Sequence, residues 1–213
     1  MRARGRDRGL ARGDALGCVS RMAVLPFSAV LLAAGRSSRM GRDKALLEVA
    51  GQPLWRRQWD LLAEVGAAER FLSVRPEQAW APAEVTKISD AAPEAGPLAG
   101  IVAALERGTT PLLLVLAVDL PRMDAGYLRR LLAACGAERG IVPWRRGGRP
   151  EPLCAVYPRA VLPDARELLQ HGHHAVTGLA ATAGSLGLIR TLAIETEDEP
   201  LFVNWNEPAD AAL

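Results

Sequence analysis

The run from Leu112 to Val118, Leu-Leu-Leu-Val-Leu-Ala-Val, is the feature that most limits what this chain can fold into. Seven consecutive apolar residues are too few for a membrane helix, which needs about 20. They are typical of a strand that is buried on both faces, as in a parallel sheet. The run stops at Asp119, and the Leu120-Pro121 pair that follows predicts a turn.

Short apolar runs alternate with segments of helical periodicity along the rest of the chain. The predicted strands cover residues 28–34, 70–74, 85–88, 111–118, 140–143, 153–157 and 188–194, and the predicted helices cover 53–65, 98–107, 124–135, 159–169 and a short segment near 208. This alternation predicts an α/β fold, a three-layer α/β/α arrangement around a mostly parallel, Rossmann-like sheet. The length of 213 residues fits one domain over residues 25–213. Residues 1–24 are too rich in Arg, Gly and Asp to fold and are expected to form a disordered extension.

Charge and cysteine content exclude several classes of protein. Residues 1–22 hold six Arg and two Asp, so the net charge of +2 leaves about −2 for the remainder, which offers no basic face for nucleic acid. Cys18, Cys135 and Cys154 are widely spaced and form no CxxC pair, which argues against a disulfide framework or a zinc site. We therefore expect a soluble cytoplasmic protein that binds neither nucleic acid nor membranes.

The loop after the first predicted strand, residues 35–44, is a candidate phosphate site. Gly35 and Gly41 let backbone N–H groups approach an anion closely, and Arg39 and Lys44 add charge that neutralises phosphate oxygens. The loop has neither the GxxxxGK[ST] spacing of a Walker A motif nor a GxGxxG pattern. From the residues alone, a phosphate cradle and a solvated basic loop remain equally compatible with the pattern.

Asp119 is the second candidate, because it directly follows the central apolar run. Ligands of open α/β sheets bind outside the carboxyl ends of the strands. A carboxylate at that position suits Mg²⁺, which takes a few carboxylate oxygens together with phosphate oxygens and water. The alternative is a helix cap or a turn residue.

Residues 32–44 read L-x-A-G-x-S-x-R-M-G-x-D-K, which resembles the signature loop of the molybdenum cofactor guanylyltransferases and their nucleotidyltransferase relatives. The resemblance implies catalytic roles for Arg39, Lys44 and Asp119. It also implies that Asp119 binds Mg²⁺, since the family's metal-binding pattern is C-D-x-P. Val118 replaces the family's frequent Cys and leaves the ligand unchanged.

Four further segments extend the resemblance over residues 28–213. These are the stretch Ser73 to Gln78, the pattern D-x(n)-G-P-L-A-G from Asp90, E-P-L-x-A-x-Y from Glu151, and F-x-N-x-N-x-P-x-D from Phe202. The resemblance implies a nucleotide-binding set of Leu32, Ala33, Ala34, Gly35, Lys44, Ser73, Asp90 and Asp119. It implies an acceptor-binding set of Gly96, Pro97, Leu98, Gly100, Glu151, Pro152, Asn204 and Asn206. The spacing of the two Asn residues predicts that they lie on one face of a strand, or else bridge turns.

Two more clusters have simpler interpretations. His171, His173 and His174 lack a carboxylate or Cys partner at metal-binding spacing, so surface histidines are expected. The family often carries basic residues in this region, which leaves a pH-sensitive contact with the acceptor's phosphate as the alternative. Trp55 and Trp59 are spaced i, i+4 on a predicted helix and favour packing over base stacking.

The predicted function is transfer of GMP from GTP to the phosphate of Mo-molybdopterin, with release of pyrophosphate. Ala34-Gly35 resembles the cytidylyltransferase relatives, whereas the segments at Glu151 and Phe202 resemble the guanylyltransferases, so CTP is the alternative nucleotide. The loop is also compatible with a sugar-1-phosphate nucleotidyltransferase and with a non-catalytic nucleotide-binding protein of the same pathway. Molybdoenzyme chaperones or other cofactor-biosynthesis proteins are the expected protein partners.

Overall fold

The structure, a computed structural model, describes residues 25–35, 43–89 and 96–205. The strands are β1 (Phe27–Leu32), β2 (Glu48–Val49), β3 (Gln52–Pro53), β4 (Glu69–Ser73), β5 (Lys87–Ile88), β6 (Leu112–Ala117), β7 (Gly140–Arg145), β8 (Arg149–Pro150), β9 (Cys154–Pro158) and β10 (Ile189–Ala193). The α-helices are α1 (Leu54–Glu64), α2 (Gly96–Arg107), α3 (Ala125–Ala134), α4 (Leu162–Gln170) and α5 (Val176–Ser185). Short 3-10 helices cover Lys44–Leu46, Arg159–Val161 and Glu199–Phe202.

The main sheet has the strand order β10-β7-β9-β6-β1-β4-β5, with β8 extending β7 as a hairpin. β6 lies at the centre of this order, and its neighbour β1 pairs in parallel with both β4 and β6. β9 is antiparallel to β6 and to β7, so β7 runs in the same direction as β6. The mostly parallel α/β sheet expected from the sequence is confirmed. The carboxyl ends of β1, β4, β6 and β7 therefore lie at one edge of the sheet.

The alternation of side chains along β6 produces the three layers. Leu112, Leu114 and Leu116 belong to a buried cluster with residues of α1 and α3. Leu113 and Val115 belong to a second cluster with residues of α2, α4 and α5. Because successive side chains of a strand point to opposite faces, an unbroken apolar run requires helices on both sides of the sheet. None of the helices in the described part of the chain is long and apolar enough to cross a membrane.

Most predicted elements agree with the structure within a few residues, and the differences have local causes. The sequence pattern does not predict α5, because this helix has no side-chain N-cap and contains Gly178 and Gly184, which obscure helical periodicity. It does not predict the β2–β3 hairpin either, since each strand has two residues joined by a turn in which Ala50 and Gly51 have φ of 51° and 77°. The predicted extension over 1–24 and the short helix near 208 lie outside the described residues.

The strand predicted around Asn204 is wrong. A 3-10 helix covers Glu199–Phe202, with Pro200 in its first turn, and residues 203–205 that follow have no regular structure. Proline fixes φ near the helical value and lacks an N–H for a ladder, so it favours this turn over a strand.

Candidate active site

The residues predicted to bind a nucleotide converge where β1, β4 and β6 end, as far as the structure describes them, which leaves out Asp90. The backbone hydrogen bonds between these strands continue one residue past their ends, because Ala33 N donates to Ser73 O at 2.9 Å and Val118 N donates to Leu32 O at 3.1 Å. Ala34, Gly35 and Asp119 follow at the same edge. Leu32, Ala33 and Ser73 are buried, so they can offer a ligand little beyond backbone groups.

Lys44 and Asp119 form the charged centre of this edge. The Lys44 Nζ lies 3.7 Å from Asp119 Oδ2, and the two side chains are 19% and 25% exposed. Lys44 opens a 3-10 helix whose N-cap is Asp43, since Ala45 N donates to Asp43 Oδ1 at 3.0 Å. The structure thus brings together two of the three predicted catalytic residues, although 75 positions separate them in the sequence.

Burial raises the pKa of the Asp119 carboxyl above its usual value, and the nearby Lys44 ammonium lowers it only in part. The charged form of Asp119 is therefore short of solvation. A second positive charge beside this carboxylate would stabilise it, which is the electrostatic condition for a cation-binding group.

Three donors from distant elements hold the backbone around Asp119. Trp205 N donates to Asp119 O at 3.1 Å. From α1, Gln58 Nε2 donates to Leu120 O at 2.6 Å and Arg57 Nε donates to Pro121 O at 3.1 Å. Gln58 is completely buried. These contacts fix the turn that presents the Asp119 carboxylate, and no sequence pattern marks either α1 residue.

The segment after β4 ties together the two described ends of the loop after β1. Gln78 Nε2 donates to Ala33 O at 3.0 Å and to Asp43 Oδ2 at 2.6 Å. Arg75 Nη1 donates to Gly35 O at 2.8 Å and also to Ala34 O. The family resemblance implies that this stretch contacts the base or ribose, but these Arg75 and Gln78 groups bind the protein itself.

Asp43 is further fixed by Trp80, whose Nε1 donates to Asp43 Oδ2 at 2.8 Å. The Trp80 ring packs on Trp55, with 5.6 Å between ring centroids. Trp55 and Trp59 are both buried, which confirms the packing role expected for them. The position of Lys44 is therefore set through its neighbour Asp43 by side chains of α1 and of the segment after β4.

The beginning of α2 approaches the ends of β1 and β4 at Gly100. A Cβ at Gly100 would lie 2.6 Å from Ser73 Oγ and 2.9 Å from Leu32 Cδ2. Gly96, at the start of the helix, has φ of 64°, a conformation that favours glycine. Gly96 and Pro97 are exposed, whereas Leu98 is fully buried in the core. Of the predicted acceptor residues on α2, only the first two offer open surface.

Glu151 lies beside the same edge, at the start of the segment that leads into β9. Its carboxylate pairs with Arg145, the last residue of β7, and Arg145 also pairs with Glu199 at 3.0 Å. Pro152 O accepts a hydrogen bond from Tyr157 Oη at 3.0 Å. Asn204 is exposed and precedes Trp205, which packs with Leu47.

The remaining predicted residues fall into two groups. Arg39, Asp90 and Asn206 lie outside the described residues. His171, His173 and His174 are exposed, which agrees with surface histidines. Within residues 25–35, 43–89 and 96–205, no group of three or more His, Cys, Asp or Glu side chains could hold a metal ion.

The chain is similar to known proteins over most of its length. The MobA-like NTP transferase domain family matches residues 29–183. A "Probable molybdenum cofactor guanylyltransferase" of Opitutus terrae is 36% identical over 86% of this chain and 92% of its own length. A protein of the same name from Deinococcus radiodurans is 35% identical over 89% of this chain and 94% of its own. The crystal structure of molybdopterin-guanine dinucleotide biosynthesis protein A from Archaeoglobus fulgidus superposes with a TM-score of 0.68, covering 87% of this chain and 95% of that one at 22% identity.

Proposed function

The chain belongs to the MobA-like NTP transferase family, and we propose that it is a molybdenum cofactor guanylyltransferase, which transfers GMP from GTP to the phosphate of Mo-molybdopterin. The observation that carries the proposal is the Lys44–Asp119 pair at the edge of the sheet where β1, β4 and β6 end. Relatives that carry this name are similar over most of the chain. The family consists of nucleotidyltransferases, so what is proposed is the identity of the nucleotide, GTP, and of the acceptor, Mo-molybdopterin.

The charges at Asp119 fit a divalent cation. Nucleotidyltransferases of this fold generally use a divalent metal ion. The described residues offer one under-solvated carboxylate and no cage of protein ligands, which matches the way Mg²⁺ binds through few carboxylates together with phosphate oxygens and water. When bound, Mg²⁺ would supply positive charge to the α-phosphate and to the incoming phosphate of the acceptor.

In the proposed reaction, an oxygen of the acceptor's phosphate attacks the α-phosphorus of GTP. A new P–O bond forms, the bond between the α-phosphorus and the bridging oxygen breaks, and pyrophosphate leaves with that electron pair. A phosphate monoester is already anionic at neutral pH, so no strong general base is required. Orientation of the reactants and stabilisation of charge then supply most of the rate.

The chain's own residues divide this work between them. Lys44 and Arg39 neutralise oxygens of the triphosphate, and Asp119 holds the metal. The remaining nucleotide contacts are assigned to Leu32, Ala33, Ala34, Gly35, Ser73 and Asp90. The acceptor contacts are assigned to Gly96, Pro97, Leu98, Gly100, Glu151, Pro152, Asn204 and Asn206.

Calorimetric titration of GTP, CTP and ATP with Mg²⁺, followed by turnover with Mo-molybdopterin, tests the proposal. We expect selective binding of GTP. Asp119→Asn should keep the fold and reduce Mg²⁺-dependent turnover on the order of 100-fold or more, because it removes the charge that holds the metal. Asp124→Asn is the matched control, since Asp124 caps α3 and Asn caps a helix equally well.

Each possible result of this test decides one assignment. Undiminished turnover by Asp119→Asn would remove the metal assignment. Selective binding of CTP would move the chain to the cytidylyltransferases, in agreement with Ala34-Gly35. Failure to bind any nucleoside triphosphate would reject the proposed function.

A further inference from the structure

Arg145 joins the end of β7 to two other segments of the chain beside the candidate site, the one at Glu151 and the 3-10 helix Glu199–Phe202. Its Nε pairs with Glu151 Oε1, its Nη1 lies 3.0 Å from Glu199 Oε2, and its Nη2 donates to Phe202 O at 2.8 Å. The guanidinium carbon also lies 5.7 Å from the centroid of the Phe202 ring. Every nitrogen of the guanidinium is therefore in use, each with a different partner group.

Arg145 is suited to fixing geometry rather than to binding a ligand. A guanidinium has its donors in one rigid plane, so partners on Nε, Nη1 and Nη2 are fixed relative to one another. The side chain is 31% exposed, and those of Glu151 and Glu199 are 22% and 34% exposed. These ion pairs are partly shielded from water, which makes them less screened than pairs on an open surface.

The first group that Arg145 fixes is Glu151. Arg145 donates its hydrogen bond to Oε1 of this carboxylate, which orients the second oxygen, and within the described part of the chain that oxygen accepts no hydrogen bond. Glu151 N also donates to Pro143 O at 2.9 Å, which anchors its backbone to β7. The carboxylate is thus held at one oxygen while the other remains an acceptor for N–H donors.

The second element that Arg145 fixes is the segment that carries Asn204. Phe202 O is held by Arg145, and the Phe202 ring packs edge-on against Tyr127 with 5.1 Å between centroids. Three residues later, Trp205 N donates to Asp119 O. Asn204 is exposed between these two anchors, so its position depends on both of them.

We propose that Arg145 is a positioning residue for the acceptor half of the site, which orients Glu151 and anchors the segment bearing Asn204. This inference rests on the proposed function. Arg145 lies on β7, away from the contacts that hold Ala33, Asp43 and Lys44 on the other side of Asp119. The turn after Asp119 keeps its hydrogen bonds from Gln58 and Arg57 when Arg145 is lost. Loss of Arg145 therefore affects binding of the acceptor and spares binding of the nucleotide.

Steady-state kinetics of Arg145→Ala and Arg145→Lys test the inference. Mo-molybdopterin is varied at saturating GTP, and GTP is then varied at saturating Mo-molybdopterin. We expect Arg145→Ala to raise the KM for the acceptor about 10- to 100-fold, as expected when one partner of a shielded charge pair is removed. The KM for GTP should stay within about twofold of wild type. Arg145→Lys should recover only part of the loss, because an ammonium lacks the planar fork.

Arg146→Ala is the matched control. Arg146 is the next residue in the same hairpin, is 72% exposed, and makes one ion pair at 3.9 Å with Glu195. Such surface pairs contribute little, so both KM values should remain unchanged. Thermal unfolding of every variant shows whether an altered KM reflects a fold that has been lost.

A double-mutant cycle with Glu151→Gln separates positioning from a general structural role. If Arg145 acts through Glu151, then Arg145→Ala should raise the acceptor KM less in the Glu151→Gln background than in wild type. Additive effects, an unchanged acceptor KM in Arg145→Ala, or an equal rise in the KM for GTP would each overturn the inference. Wild-type protein that turns over no acceptor would instead reject the proposed function itself.

Discussion

Lys44 and Asp119 depend on each other before any substrate arrives. Asp119 is a carboxylate short of solvation, and Lys44 supplies positive charge 3.7 Å away. A bound cation would take over that role and allow the ammonium to turn to phosphate oxygens. The pair therefore favours the charged form of Asp119, in the position where the proposed reaction needs it.

Replacing Lys44 by Met should raise the pKa of the Asp119 carboxyl further. Burial is the main cause that raises this pKa and the Lys44 ammonium is the main cause that lowers it, so in Lys44→Met burial is opposed only by a backbone hydrogen bond. A protonated carboxyl cannot bind Mg²⁺, and metal binding is lost as the pH falls through the pKa. As the pH is lowered, Lys44→Met should therefore lose Mg²⁺ binding at a higher pH than wild type.

Carboxyl ¹³C chemical shifts, followed against pH in the metal-free protein, measure this effect directly. Asp119→Asn assigns the resonance, and the carboxyl of Asp124 serves as the internal reference, because it caps α3 by accepting a hydrogen bond from Tyr127 N. An unchanged midpoint for Asp119 in Lys44→Met would mean that the ion pair contributes nothing to the charge state of the site.

At the scale of elements, the contact of α2 with the ends of β1 and β4 depends on one missing Cβ. In Gly100→Ala, the new methyl group would lie 2.6 Å from Ser73 Oγ and 2.9 Å from Leu32 Cδ2. Overpacking of this kind costs about 1–3 kcal/mol. We expect the free energy of unfolding in urea to fall by that amount and GTP binding to weaken, since both strand ends belong to the proposed nucleotide site.

Gly178→Ala is the control for this substitution. Gly178 also lies within a helix, α5, but nothing lies within 4 Å of where its Cβ would be. Helix propensity alone should then stabilise the protein by up to about 1 kcal/mol. Adding Ser73→Ala to Gly100→Ala removes the nearest atom and should restore part of the stability. Equal effects of the two glycine substitutions would show that the close approach of α2 has no energetic importance.

Some elements of the fold can be predicted from the sequence and others cannot. β6 and β1 are predictable because long apolar runs satisfy burial on both faces without help from distant residues. α5 and the β2–β3 hairpin are not, since their formation depends on tertiary packing and on a turn with positive φ rather than on local periodicity. The strand prediction around Asn204 fails because alternation of two polar residues is also compatible with an irregular chain.

The sequence predicts a residue of the candidate site only where that residue follows a strand or matches a family pattern. Lys44 and Asp119 meet both conditions, and the structure brings them together. Gln58, Gln78 and Arg145 each donate to a backbone carbonyl 45 to 62 positions away, and no local pattern marks such a role. Each of the three stands next to a charged residue in the sequence, so the sequence signals neither its burial nor its partner.

At the scale of the whole molecule, the proposed ligand site and the core share β6. Cys154 on β9 pairs with Leu116 of β6, and Leu116 lies three residues before Asp119. The Cys154 thiol is buried, 4.0 Å from the sulfur of Met123. Burial raises the pKa of the Cys154 thiol well above its usual value. This thiol therefore has neither access to solvent nor thiolate character until the sheet opens.

Labelling of Cys154 by a disulfide reagent should consequently report global unfolding and its coupling to the ligand. In a Cys18→Ser, Cys135→Ser chain, we expect labelling only at the rate set by the unfolding equilibrium. GTP with Mg²⁺ should slow it by a factor of 1 + [GTP]/Kd, because ligand that binds only the folded state lowers the unfolded population. The Kd from calorimetry fixes this factor in advance.

Cys135 provides the contrast, in a Cys18→Ser, Cys154→Ala chain. It lies at the C-terminal end of α3, is partly exposed, and burial raises its pKa to about 12. Only the last turn of α3 must fray to expose its thiol, so labelling should be faster than that of Cys154 and insensitive to GTP. If GTP protected both thiols equally, the end of α3 would have to open together with the sheet. If GTP protected neither thiol, ligand binding and the stability of the core would be uncoupled, although both depend on β6.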